Sequence, residues 1–527
     1  MKKIFKYLLI LGIAFNSTSC DEFLESPTLG SESLDSYFYN ESECEKFVVG
    51  SYKYIANGSW TPIYMWWIMT DMATDDGWMG STYQPASYVN FQPVTHYEGG
   101  TDVTNNTYLS SFWEVRYKGI AEVNIGIESI SEANIGDDLK AQYIAELKVL
   151  RAFFYFDLVK NFGGVPLVLK RLSTSESLSY SRSSVSEVYA SIEQDLLDAA
   201  EVLPYKNSVS YGTGRMNKGI IEALLTKAYL YQEKYDEAYE MALSVINNGG
   251  YALEADFNNV WSANDNSSEA IFEIQTSDTQ EFVLGNPCPV ITGARGDNGW
   301  AWGQPTSYLE NAFIVAGDTV RQHATIAKNG DIVVGDEDRG AISIPAEWNK
   351  SARIVRKFYI PLAERTTPYS VSYNKLNHHV LRYADVLLMA AESAYHKSAS
   401  DESAARLYLN MVRTRVGLDD VVASGNDLRD AIREERRLEL AWEHNRLFDI
   451  RRWKTDDGEP MICSIMGANG SFVKYNLEES TDPYETTNSI ETSVKGSTFN
   501  STRDLLFPIP YTDVQQSGGL IEQNPGF

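Results

Sequence analysis

Two short stretches set residues of complementary chemistry side by side. In the first, Asp75 and Asp76 run straight into Gly77 and Trp78. In the second, Arg295, Asp297 and Asn298 precede Trp300 and Trp302. Carboxylates, a guanidinium and an amide around flat indoles suit a ligand with hydroxyls on its edges and weakly apolar C–H faces: the polar groups take the hydroxyls and the rings take the faces. If the "WAW" piece is extended, alternation points both tryptophans to one side. This is binding chemistry, not bond-making chemistry.

Residues for covalent or metal-assisted catalysis are present but not arranged for it. The chain has no G-x-S-x-G elbow, no H-E-x-x-H pair and no G-x-x-x-x-G-K-[ST] loop. "GTGRMN" from Gly212 opens like a dinucleotide fingerprint, but Asn217 stands where the third glycine belongs and no strand pattern precedes it. His378 and His379 are adjacent, which sends them to different faces and argues against a shared metal. The acid pairs Asp75–Asp76, Asp336–Asp338 and Asp456–Asp457 read as solvated loop carboxylates, since a catalytic dyad is defined by separation in space. The spacing of an EF-hand is absent; a structural calcium is not legible at this level. The expectation is a protein with no catalytic residue, cofactor or metal ligand.

Long helices must position these stretches. Apolar periodicity predicts helices in "ESECEKFVVGSYKYIA", with Cys44, Phe47, Val48, Ser51 and Ile55 on one stripe, and in "AQYIAELKVLRAFFYFDLVKNFGG", which stops at Gly163 and Gly164. "SSVSEVYASIEQDLLDAAEVLP" opens with Ser184 three residues before Glu187, a capping box. "NKGIIEALLTKAYLYQEKYDEAYEMALSVINNGG" reads as two helices around a turn at Glu233 and Lys234. "LRYADVLLMAAESAYHKS" and "DESAARLYLNMVRTRVG" read as another pair. Leu225, Tyr229, Tyr235 and Ala238 keep tetratricopeptide spacing, although Thr226 and Val245 replace its usual Gly and Ala. Several such pairs predict a short helical solenoid. The two irregular, aromatic-rich segments, one reaching about Tyr108 and one holding "GARGDNGWAWGQ", are long enough to be functional loops.

The N-terminus supplies a location. Lys2, Lys3 and Lys6 precede the apolar run Tyr7–Phe15, then Ser17, Thr18, Ser19 and Cys20. The run is too short to span a bilayer, which needs roughly 20 apolar residues. It has the form of a secretory leader, residues 1–19. Cys20 at the first mature position, followed by Asp21 and Glu22, resembles a bacterial lipoprotein signal with a surface-export tag, with Ser17 where such signals prefer Leu. Lipidation at Cys20 would anchor the protein to a membrane without crossing it. The formal charge of −27 becomes −30 once the three leader lysines are gone, which disfavours nucleic acid. The remaining Cys44, Cys288 and Cys463 cannot all pair with one another and contain no CxxC, so no disulfide framework or zinc site is expected.

"AELKVLRAFFYFDLVKNFGGVPL", "LRYADVLLMAAESAY", "IREERRLELAWEHNRLFDIRRW" and "LFPIPYTDVQQSGGLIEQNPGF", in this order and spacing, resemble the SusD/RagB family of outer-membrane nutrient-binding lipoproteins. The resemblance implies a mainly α fold: a helical body with four tetratricopeptide-like helix pairs and an irregular, loop-rich ligand-binding region. It implies an N-terminal region over 20–230 and a C-terminal region over 270–527, packed as one unit. It implies a cell-surface, lipid-anchored protein of the outer membrane that captures a glycan and passes it to a SusC-like TonB-dependent transporter; some relatives take peptides instead. On that reading Asp75, Asp76, Trp78, Arg295, Asp297, Asn298, Trp300 and Trp302 are the glycan-binding candidates. In "REERRLELAWEHNR", Glu434–Arg437, Arg436–Glu439 and Glu443–Arg446 are spaced for i,i+3 ion pairs, so its arginines, each with an acid neighbour, read as structural.

Overall fold

The structure is a computed structural model that describes residues 38–527 except 57–65, 81–85, 100, 174–175, 177–178, 207–212, 262–265, 346–347, 481 and 483–494. The leader and Cys20 lie outside the described residues. Ten of the helices make up the body: α1 (Glu41–Ser51), α2 (Thr107–Glu132), α3 (Asp137–Phe162), α4 (Val185–Ala200), α5 (Lys218–Tyr231), α6 (Tyr235–Asn248), α7 (Tyr383–His396), α8 (Glu402–Arg415), α9 (Gly425–Glu439) and α10 (Arg446–Arg452). From α2 to α8 each helix packs on the next in chain order, and α9 folds back onto α7 and α8. This is the mainly helical, tetratricopeptide-like stack that the periodicity predicts.

Local signals work as expected where they are strong. The Ser184 side chain accepts from the Glu187 N–H and Glu187 answers the Ser184 backbone, closing the capping box of α4. Gly163, at φ 75°, ends α3 in a conformation that costs glycine little. Glu233 takes φ 59° in the α5–α6 turn. Cys44, Val48, Ser51 and Ile55 are buried along the predicted stripe.

Helix α2 is the longest element the periodicity missed. Gly119 and Gly126 weaken its intrinsic preference, yet both sit where neighbours close in. A Cβ at Gly119 would lie 2.6 Å from the Phe154 ring, and one at Gly126 2.5 Å from Phe47. Tertiary contact, not propensity, demands those glycines.

Buried ion pairs tie the stack together. Arg116 of α2 pairs with Asp157 of α3, Arg151 of α3 makes two 2.8 Å bonds to Asp195 of α4, and Lys227 of α5 meets Asp385 of α7 at 2.9 Å. Such pairs add little net stability over apolar contacts, but removing one partner strands a buried charge.

The identifying motif departs from the expected local pairing. Helix α9 ends at Glu439, and Trp442 and His444 take φ 63° and 62° in the turn beyond it. Glu434 and Arg437 are 4.0 Å apart, whereas Arg436 reaches Asp385 at 3.0 Å and Asp449 at 3.2 Å. Glu439 receives Arg321, Arg382 and Arg415, while Glu443 receives Lys357 and Arg382. Arg446 goes to Asp75. The motif is buried, so its charges take partners from distant elements rather than from the next turn.

Among the described residues six short strands form three antiparallel pairs: β1 (Gly77–Met79) with β3 (Gly303–Pro305), β2 (Ala270–Ile274) with β6 (His378–Arg382), and β4 (Ile326–Lys328) with β5 (Arg353–Val355). The β1–β3 register places Trp78 opposite Gln304. This pairing brings the two irregular aromatic segments of the sequence together. A main core runs through the helices, and a satellite core of Ala294, Ala327, Val333, Ile342, Ile344, Ile354 and Tyr359 lies under the second segment.

Candidate functional site

The loop of residues 293–300 folds back on the turn that precedes it. Trp300 N–H donates to the Val290 carbonyl at 2.8 Å, Ala301 to Gly293 at 2.8 Å and Trp302 to Ile291 at 2.9 Å. A Cβ at Gly299 would lie 2.2 Å from Gly293, so only glycine fits that crossing. Asn298 and Ala301 take φ 60° and 53°. The "WAW" piece is therefore not extended, yet the Trp300 and Trp302 rings meet, with centroids 4.6 Å apart at 50°.

Asp297 pins the loop. Arg365 grips it with both Nη atoms at 2.9 Å, and Arg339 adds a third bond at 2.9 Å. Burial would raise this carboxyl, but the two guanidiniums override it and hold Asp297 below its ordinary range. Arg365 in turn lies over the Tyr369 and Tyr359 rings, at 4.7 and 5.1 Å. Asp297 is thus a fastening, committed on both oxygens, rather than a rim acceptor.

The first segment is a correction to the sequence reading. Asp75 and Asp76 are buried, not solvated: Arg446 holds Asp75 at 2.8 and 3.1 Å, and Arg437 holds Asp76 at 2.7 Å. Burial raises Asp75 less than Arg446 and Arg437 lower it, leaving it at about 2. For Asp76 burial wins, with Asp75 adding to it, and its carboxyl is pushed up despite Arg437. Trp78 is 3% exposed, against Phe472 and with the Lys350 ammonium 4.3 Å from its ring centroid. Trp302 is also interior, its ring 5.3 Å from Phe91. These four side chains support the loop from beneath; a strand pair with both faces covered leaves them no route to a ligand.

What faces solvent is a shoulder made of half-buried Trp300, partly exposed Arg295, exposed Asn298 and a residue the sequence did not single out. Trp348 is 44% exposed, and a Cβ at Gly296 would come within 4.0 Å of its ring. Its neighbours are tied down: Gln304 donates to Asn349 Oδ1 at 2.8 Å and accepts from the Ser351 N–H at 3.1 Å. A lone Trp in "PAEWNK" carries no periodicity; only its exposure reveals it. A second groove, about 820 Å³, lies between α2 and the C-terminal segment. Two of its three aromatics are committed, since Trp113 is 3% exposed with Nε1 donating to Asp513 and Tyr117 donates to the Pro166 carbonyl; the third, Tyr180, is half-buried. The Trp348 shoulder is the better platform for a flat apolar face.

The histidines separate as expected. His379 faces Val260 and Glu273, while His378 turns inward to His444. Among the described residues no group of three His, Cys, Asp or Glu side chains is placed to hold a metal ion, and no helix is long and apolar enough to cross a membrane. Cys44, Cys288 and Cys463 are free thiols.

A helical repeat body carrying a loop-built aromatic shoulder defines a class of binding scaffold. Known proteins make the assignment specific. The profile described as "SusD family" matches residues 268–527, and that described as "Starch-binding associating with outer membrane" matches residues 31–230. The chain belongs to the SusD family. SusD-like protein P2 of Formosa agariphila is 26% identical, covering 96% of this chain and 97% of its own. A laminarin binding SusD-like protein superposes with a TM-score of 0.73 at 26% identity, covering 93% of this chain and 100% of that one. Surface glycan-binding protein A from Bacteroides thetaiotaomicron, solved in complex with laminarihexaose, shares the fold with a TM-score of 0.72 at 20% identity, over 92% and 100% of the two chains.

Proposed function

We propose that this protein captures an oligosaccharide at the outer cell surface and passes it to a SusC-like TonB-dependent transporter, with no catalysis or cofactor of its own. The observation that carries the reading is the exposed Trp348 ring beside Gly296 of the Asp297-locked loop, the loop that also carries Arg295, Asn298 and Trp300. A sugar ring presents a C–H face to an indole and hydroxyls to an amide and a guanidinium. Family membership and the laminarin-binding relative support a glycan as cargo. Anchoring through Cys20 fits the lipoprotein-like leader and the outer-membrane description of the matching profile. Shallow sites of this kind bind weakly one at a time and gain from repeated units along a polymer.

The test is a glycan array with soluble protein beginning at Asp21, followed by calorimetry on the hits, with laminarin oligosaccharides included. Trp348→Ala and Trp300→Ala are expected to weaken a hit. A glycan hit indifferent to both moves the site elsewhere, and a blank array followed by binding on a peptide panel replaces the cargo.

A further inference from the structure

We propose that the pocket between α9 and the chain just after α10 binds a small oxyanion: a sulfate, phosphate or carboxylate group. The pocket has a volume of about 330 Å³ and draws Arg429 and Arg433 from α9, Arg446 from α10, and Trp453 from the segment beyond. It shares no residue with the Trp300–Trp348 shoulder and does not depend on the glycan reading.

The proposal stands on an unequal accounting of three guanidiniums. Arg429 is satisfied: it donates to both oxygens of Asp430, at 2.8 and 3.1 Å, and to Asp456 at 2.8 Å. Arg446 is committed through Nε and one Nη to Asp75. Arg433 is different. It is 8% exposed, its Nε is buried with no hydrogen-bond partner, and the Asp430 oxygen beside it is 3.7 Å from Nη1, too long for a hydrogen bond and already taken by Arg429. The guanidinium instead lies 5.4 Å from the Trp453 ring centroid. Burial first, and the Arg429 charge second, push its pKa down. A guanidinium nevertheless stays protonated in a protein, so Arg433 is a nearly buried cation lacking a hydrogen-bonded counter-ion, an arrangement that costs free energy until something completes it.

An oxyanion that reaches the Arg433 Nη atoms supplies that counter-ion, while the buried Nε stays enclosed. The planar fork of a guanidinium matches two oxygens of a carboxylate, sulfate or phosphate, and the pocket lies at the low end of the range of small-ligand sites, about 300–1,000 Å³. It therefore takes one charged group rather than a polymer. Four carboxylates stand around it: Glu392 is occupied by Arg452 and Trp453, Asp430 and Asp456 are occupied by Arg429, and Glu434 stands 4.0 Å from Arg437 on its own helix. They set a modest affinity and point to Asp430 as the competitor to remove.

The experiment is calorimetric titration of the purified protein with sodium sulfate, sodium phosphate and sodium glucuronate, against sodium chloride at matched ionic strength. Saturable binding of at least one probe is expected, weakened about tenfold or more in Arg433→Met by loss of charge-assisted hydrogen bonds and tightened in Asp430→Asn. Binding of inorganic anions and glucuronate alike assigns the pocket to a free oxyanion; binding of glucuronate alone assigns it to an acidic sugar. No heat with any probe, or binding unchanged in Arg433→Met, overturns the proposal. Should that variant not fold, Arg433→Lys decides: it keeps the charge and loses the planar fork, so weakened binding supports the site and unchanged binding removes it.

Discussion

The Nε2 atoms of His378 and His444 lie 3.0 Å apart in the interior, with the two rings stacked at 21°. At that distance one nitrogen donates and the other accepts. His444 Nδ1 faces the Asp71 carboxylate, and Asn286 Nδ2 stands 3.4 Å from His378 Nδ1. A consistent chain has His444 donating to Asp71, His378 donating to His444, and Asn286 donating to His378. It joins the segment after α1, the segment before the 293–300 loop, β6 and the turn after α9, so the two imidazoles fasten the two halves of the sequence.

Acid should weaken that fastening. Burial foremost, with His444 and His379 adding, holds the His378 pKa well below 6.5. The unfolded chain therefore takes up a proton below about pH 6.5 that the native state refuses, and this group's contribution, present above that pH, is lost as pH falls at about 1.4 kcal/mol per unit. Urea midpoints between about pH 7 and pH 5 should fall accordingly. In His378→Phe the slope should shrink without vanishing, because half-buried His396 is lowered too, by its partial burial first, and acts with the same sign.

The tryptophans should split into two kinds. Trp302→Ala empties a core position and should cost about 3–5 kcal/mol of stability. Trp348→Ala should leave stability within about 0.5 kcal/mol, while lowering glycan affinity about two- to tenfold, the worth of one stacked ring. Denaturation and calorimetry on both variants check this.

Asp297 should matter to binding without touching ligand. Asp297→Asn leaves Arg365 and Arg339 with an uncharged partner in a mostly buried place, which should cost about 3 kcal/mol. Faster amide hydrogen exchange at Gly299, Trp300 and Ala301, together with weaker glycan binding, is the expected result. Unchanged exchange there would mean the loop holds itself.

Helix α2 offers a test of packing against propensity. Gly119→Ala gains about 1 kcal/mol of helix preference, but its Cβ meets the buried Phe154 ring, and overpacking of this kind costs about 1–3 kcal/mol. The urea midpoint should fall.

Local chemistry was enough to read the capping box at Ser184, the stop at Gly163 and the turn at Glu233, because each depends on residues within a turn or two of one another; the order of motifs that marks the family is a property of the linear chain and needs no fold to be read. The absence of the usual catalytic motifs is legible in the same way. Tertiary structure decided the rest. Asp75, Asp76 and Trp78 look like a loop-borne site until β1 pairs with β3 and the two aspartates meet Arg446 and Arg437, 371 and 361 residues further along the chain. Trp348 looks like nothing until the chain folds and leaves it outside. Burial and exposure are properties of distant contacts, and a residue's type and near neighbours do not carry them.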